Sequence, residues 1–125
     1  MSDTVTMYRP VGAKELELIE QSEHRAFPPR LPDQPIFYPV LNEGYARQIA
    51  KDWNSRLNDE KIGYVTRFAV SADVAAKYKP EVVGGREHEE IWVPAEELDA
   101  FNSAIVGEIE VIAKYSNDAL EWECS

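Results

Sequence analysis

Four of the chain's eight prolines fall inside ten residues, "AFPPRLPDQP" at 26–35. Each proline fixes its own φ, lacks the amide hydrogen that a helix or ladder needs, and pushes the preceding residue toward extended backbone. Neither a helix nor an interior strand fits there. The segment is read as an extended surface connection, of a length that is often functional. What remains on either side must be built from short elements.

Before the proline segment, "VTMYRPV" alternates as a strand over 5–10, and "AKELELIEQSEHR" after Gly12 reads as a helix with Leu16 and Ile19 inward. After it, "IFYPVL" is a strand over 36–41, in which Pro39 removes a ladder donor and argues for an edge or an irregularity. Asn42 can cap a helix running to Trp53, where Tyr45, Ile49 and Trp53 recur every four residues as an apolar stripe. "YVTRFAV" alternates as a strand over 63–70, and Ser71 can cap a short helix through "ADVAAKY". "KPEVVGGREHE" combines a short strand with a Gly84-Gly85 turn before a strand at 90–94. Pro94 opens a helix over "AEELDAFNSAI" with Leu98, Phe101 and Ile105 on one face, and Gly107 stops it. "EIEVIAKY" is the last strand, at 108–115, and Phe68, Ile91 and Ile109 join the expected core. Strands and helices alternate without a glycine-rich phosphate loop after the first strand, so the expected class is α+β and not doubly wound.

A chain of 125 residues suits one core, and the reading is a single domain over 1–115 followed by a weakly held C-terminal tail, 116–125. Twenty-three acidic residues against 13 basic ones give a net charge of -10, which repels a phosphate backbone and argues against general nucleic-acid binding. No apolar run approaches the roughly 20 residues of a membrane span, and "MSDTVTMYRP" has no basic stretch ahead of an apolar one, so a soluble cytoplasmic protein is expected. One cysteine, Cys124, and two scattered histidines make neither a disulfide nor a zinc site, and no metal is expected.

The densest charge stands in "REHEEIWVP" at 86–94, where three glutamates and His88 precede an apolar strand. A solvated strand start explains this as readily as a site does. Arg9 lies inside an otherwise apolar strand and needs either an acidic partner or a ligand. Arg25 and Arg30 flank "AFPP" as a cationic rim or as solubilising charge. Tyr45 and Trp53 are assigned to packing, which leaves Tyr38 and Phe37 as the aromatic candidates for a cleft, while Asn102 interrupts an apolar helix face beside Phe101.

"MYRPVG", "RAFPPRLPDQPIFYPVLN" and "WVPAEELDAFN" occur in an order that resembles the short bacterial proteins labelled "ADP-ribosylation/crystallin J1", over about Met7 to Tyr115. The resemblance implies an ADP-ribosyltransferase-like fold of two small, mainly antiparallel sheets with flanking helices. It also implies a cleft that holds NAD as substrate. By residue, it implies Arg9 and Tyr38 as NAD contacts, and the cationic rim of Arg25 and Arg30 could then reach the pyrophosphate. Glu90 would be the catalytic carboxylate, stabilising an oxocarbenium-like state as the nicotinamide bond breaks, while His88, read by itself, is either a general base for a substrate nucleophile or an exposed loop histidine. His88 stands where arginine-specific members carry the first glutamate of Glu-x-Glu, and "FYPVL" replaces their Ser-Thr-Ser strand. Two functions follow as expectations: a mono-ADP-ribosyltransferase or NAD glycohydrolase with a possible protein target, or a non-catalytic module that binds a nucleotide or a protein on the same fold. A toxin-like or antitoxin-like interaction protein is a third.

Overall fold

The computed structural model describes residues 3–28, 36–51, 62–78, 81–82, 89–116 and 119–123. Arg30, Trp53, His88, Cys124 and the Gly84-Gly85 turn lie outside the described residues.

Strand β1 (Thr4–Gly12) feeds helix α1 (Ala13–Gln21) without a break, and β3 (Ile62–Ser71) runs antiparallel to β1 in one unbroken register from Thr4 opposite Ser71 to Gly12 opposite Gly63. β7 (Ile105–Ser116) pairs with the other edge of β3, and β8 (Ala119–Glu123) pairs with β7, giving the order β1-β3-β7-β8. Period-two alternation in these strands separates the two faces. Met7, Val11, Phe68 and Val70 enter a larger core with α1, and Val65, Ile112 and Ala113 enter a smaller one under α2 (Glu43–Ile49).

Short ladders complete the fold. β2 (Ile36–Phe37) pairs with β6 (Val93–Pro94), and β4 (Glu81–Val82) with β5 (Glu89–Glu90). Single bridges from Val40 to Tyr8 and to Glu90 join β4–β5 to the edge of β1, so the strands form two antiparallel sheets. With helix α3 (Ala72–Ala75), a 3₁₀ turn at Ala95–Glu97 and α4 (Leu98–Ser103), the architecture is α+β. The strand expected over 36–41 is ladder only at 36–37 and a bridge at Val40, because Pro39 between them has no amide hydrogen to donate.

Three further expectations change. α1 ends at Gln21, not Arg25, where the Ser22 hydroxyl bonds to the Ile19 carbonyl at 2.6 Å and Glu23 and His24 turn to φ near +60° (63° and 62°). The segment 116–125, read as a tail, supplies β8, and Arg47 of α2 binds Glu123 at 2.6 Å while Lys114 binds Glu121 at 3.0 Å. Gly107 does not stop a helix. α4 has already ended at Ser103, and Gly107, at φ +82°, lies in β7 where the register against β3 slips between Arg67 and Ala69. Leu16, Ile19, Phe68, Ile91, Leu98, Phe101 and Ile109 are buried as read, whereas Tyr45 and Ile49 are half-buried against the smaller core.

Among the described residues beyond its chain neighbours, no atom lies within 4 Å of a Cβ built on Gly107, so a substitution there meets the backbone penalty of a left-handed residue. Gly107→Ala should lower stability by about 1–2 kcal/mol. Urea unfolding of the variant measures this, and an unchanged midpoint would show that the bulge relaxes.

Candidate functional site

Arg9 shares a face of β1 with Met7 and Val11, the face that α1 covers. Because α1 starts directly after Gly12, its first turn folds back over the strand and delivers Glu15 to the guanidinium. Arg9 Nε and Nη2 donate to the two Glu15 oxygens at 2.7 and 3.0 Å, a two-pronged pair with side-chain exposures of only 11% and 20%. The guanidinium carbon lies 4.6 Å from the centre of the Phe37 ring, and Nη1 reaches the Tyr38 carbonyl only at 3.5 Å. Arg9 therefore has the acidic partner that its place in an apolar strand demands.

Glu90 stands on the other face. The register that sets Ile36 against Pro94 and Phe37 against Val93 also sets Val40 against Glu90, which makes Tyr38 and Trp92 cross-strand neighbours. Val40 is buried in the smaller core, so Glu90 and Trp92 share the side that α2 covers. The Tyr38 and Trp92 rings meet at 87° with centroids 6.0 Å apart, and both are exposed, at 39% and 50%. Trp92 Nε1 donates to Glu90 Oε1 at 2.9 Å. The pKa of Tyr45 of α2 is raised, by burial first and then by the neighbouring Glu90 carboxylate, so the phenol stays neutral beside that charge.

The structure thus brings Tyr38 and Glu90 together through Trp92, and leaves Arg9 on the opposite face, closed on Glu15. Arg25 is exposed in the turn after α1, where its backbone N–H donates to Ser22 Oγ at 3.2 Å. Sequence reasoning passed over Trp92 and Glu15 and assigned Tyr45 to packing alone. Trp92 is two residues from Glu90 in an extended run, and that spacing was the available signal. Glu15 had none, because its approach depends on how tightly α1 follows β1.

A pocket of about 480 Å³ opens on the larger-core face between the start of β1, α3 and the Leu41 and Ile91 side chains, with Tyr78 at its wall. None of Arg9, Tyr38, Arg25 or Glu90 lines it. Among the described residues, its walls carry no charge to balance a pyrophosphate. Tyr78 donates to Glu97 at 2.8 Å, and its pKa is pushed up to about 12 by burial, then by that hydrogen bond and the carboxylate charge.

A scan of protein-family models, a search of curated proteins and a search of solved structures each find no match to the chain. The likeness to ADP-ribosyltransferases therefore rests on the motifs quoted above. Among the described residues, no helix is long and apolar enough to cross a membrane.

Removing one partner of the Arg9–Glu15 pair leaves the other desolvated beside Phe37. Arg9→Met should cost about 1.5–3 kcal/mol, the range for hydrogen bonds to charged groups, and adding Glu15→Leu should recover part of it. A double-mutant cycle in urea measures the coupling, and additive losses would mean that the pair contributes nothing of its own.

Tyr78 supplies a pH test. Its raised folded-state pKa means that, above the ordinary value of 10.0, the folded chain keeps a proton that the unfolded chain loses. The stabilisation is fully present below that pH and is lost as pH rises toward about 12. Melting temperatures recorded over this alkaline range should fall less steeply for Tyr78→Phe than for the parent chain, and parallel curves would count against the Glu97 contact.

Proposed function

We infer that the chain is a non-catalytic interaction module on an ADP-ribosyltransferase-like fold, binding a nucleotide or a protein partner at the corner of Tyr38, Trp92 and Glu90. One observation carries this reading: the Arg9 fork is closed on Glu15, on the face away from Glu90. Cleavage of NAD needs the cationic donors and the carboxylate around one dinucleotide at once. A guanidinium turned into the larger core cannot hold a phosphate whose ribose lies against Glu90. Among the described residues, the pocket on the Arg9 side is lined without charge and offers no second place for the same chemistry.

A transferase or NAD glycohydrolase is the second reading, and it has its own support. Tyr38 and Glu90 share a face, and a nicotinamide ring stacked on the exposed aromatic pair would bring its ribose bond near a carboxylate suited to an oxocarbenium-like state.

The decisive measurement is nicotinamide release on incubation with NAD. The module should release none above the protein-free control, and Glu90→Gln should change nothing. Release that Glu90→Gln abolishes while the melting temperature holds would establish the enzyme instead.

A further inference from the structure

Resting on that reading of the corner, we propose that Tyr38, Trp92 and Glu90 receive an arginine side chain presented by a basic protein segment. The larger-core side of the fold already contains the same arrangement completed within the chain. There Arg9 lies 4.6 Å from the Phe37 ring centre and directs its fork at the Glu15 carboxylate. At the corner the aromatic surface and the carboxylate recur. The rings are 39% and 50% exposed, and Glu90 stands at the indole edge, 2.9 Å from Trp92 Nε1.

Three properties select a guanidinium. Ring faces carry negative potential and attract cations, and two rings at 87° form a walled corner rather than a flat patch. Among the described residues, the group that hydrogen-bonds to the Glu90 side chain, the indole N–H of Trp92, is neutral and does not compensate its charge. A carboxylate has about four acceptor positions, so a two-pronged contact remains available after that bond. A planar guanidinium stacks on a ring and forks to a carboxylate in one pose, and it is more weakly hydrated than an ammonium. The corner is also preorganised, since Glu90 has backbone partners on both sides, Val40 and Glu81. A chain of net charge -10 draws basic segments toward it at long range.

The test follows the indole N–H resonance of Trp92, assigned with Trp92→Phe, in ¹⁵N-labelled full-length protein. Blocked Gly-Arg-Gly is titrated beside its citrulline counterpart, its lysine counterpart and NAD. Citrulline keeps the shape and loses the charge. The arginine peptide should shift Trp92 saturably, more strongly than lysine, with citrulline inert. Glu90→Gln should weaken its binding about tenfold, the loss of one charge-assisted contact, without changing the melting temperature. Equal responses to arginine and citrulline would overturn the role of charge, and equal responses to arginine and lysine would overturn guanidinium recognition. A response to NAD without one to arginine would overturn this proposal while keeping the corner as a nucleotide site. If no probe moves Trp92, both the proposal and the corner as a binding site fall.

Discussion

Val40 joins the parts of this protein that matter for its chemistry. Its N–H and C=O exchange bonds of 2.7 and 2.8 Å with Tyr8, and it bridges to Glu90 on its other side. Pro39 beside it offers a carbonyl, which the Ile91 N–H takes at 2.9 Å, but no donor. Among the described residues, one residue pair thus attaches the Glu90 strand to β1 where a continuous ladder would normally do so. The attachment is secure because Val40 is buried: breaking it would expose polar backbone groups in a dry setting, at a cost of about 1–3 kcal/mol each.

The same bridge decides which side chains can cooperate. In paired antiparallel strands, directly opposed residues share a face, so Tyr8, Val40 and Glu90 form one row and their sequence neighbours the other. Arg9 is adjacent to Tyr8 and falls in the other row. The division is reinforced energetically, since α1 supplies Glu15 on Arg9's side and α2 supplies Tyr45 on Glu90's. A one-residue slip would bring Arg9 to Glu90, but it would also turn Met7 and Val11 out of the larger core. Burial of two such side chains is worth about 1.5–3 kcal/mol each, which is enough to hold the register.

Features that depend on local chemistry were legible in the sequence. Asn42 caps α2 by accepting the Tyr45 N–H at 2.9 Å, and β1 and β3 lie close to where alternation put them. Features shared by two local structures were misread. Positive φ suits a helix stop and a bulge equally, and only pairing with β3 assigns Gly107 to the bulge. Long-range partners left no trace. Asn102, which breaks an apolar helix face, accepts the Phe27 N–H at 3.0 Å and donates to the Phe27 carbonyl at 3.1 Å, pinning backbone 75 positions away. The grouping of Tyr38 with Glu90 was half legible: each was singled out, but Trp92 between them follows only from the register.

The small side chains under α2 explain how a glutamate persists at the edge of a core. Ala46, Ala50 and Ala113 are fully buried, so helix and sheet approach closely and Tyr45 comes near enough to Glu90 for that carboxylate to raise its pKa. Leucines there would bury more apolar area, yet they would lift the helix and draw Tyr45 away from Glu90. Close alanine packing gives up some hydrophobic stabilisation and in return fixes the orientation of a charged group that the core itself does not require. That trade follows if Glu90 is there to meet something outside the chain, and a solvated strand start gives no reason for it.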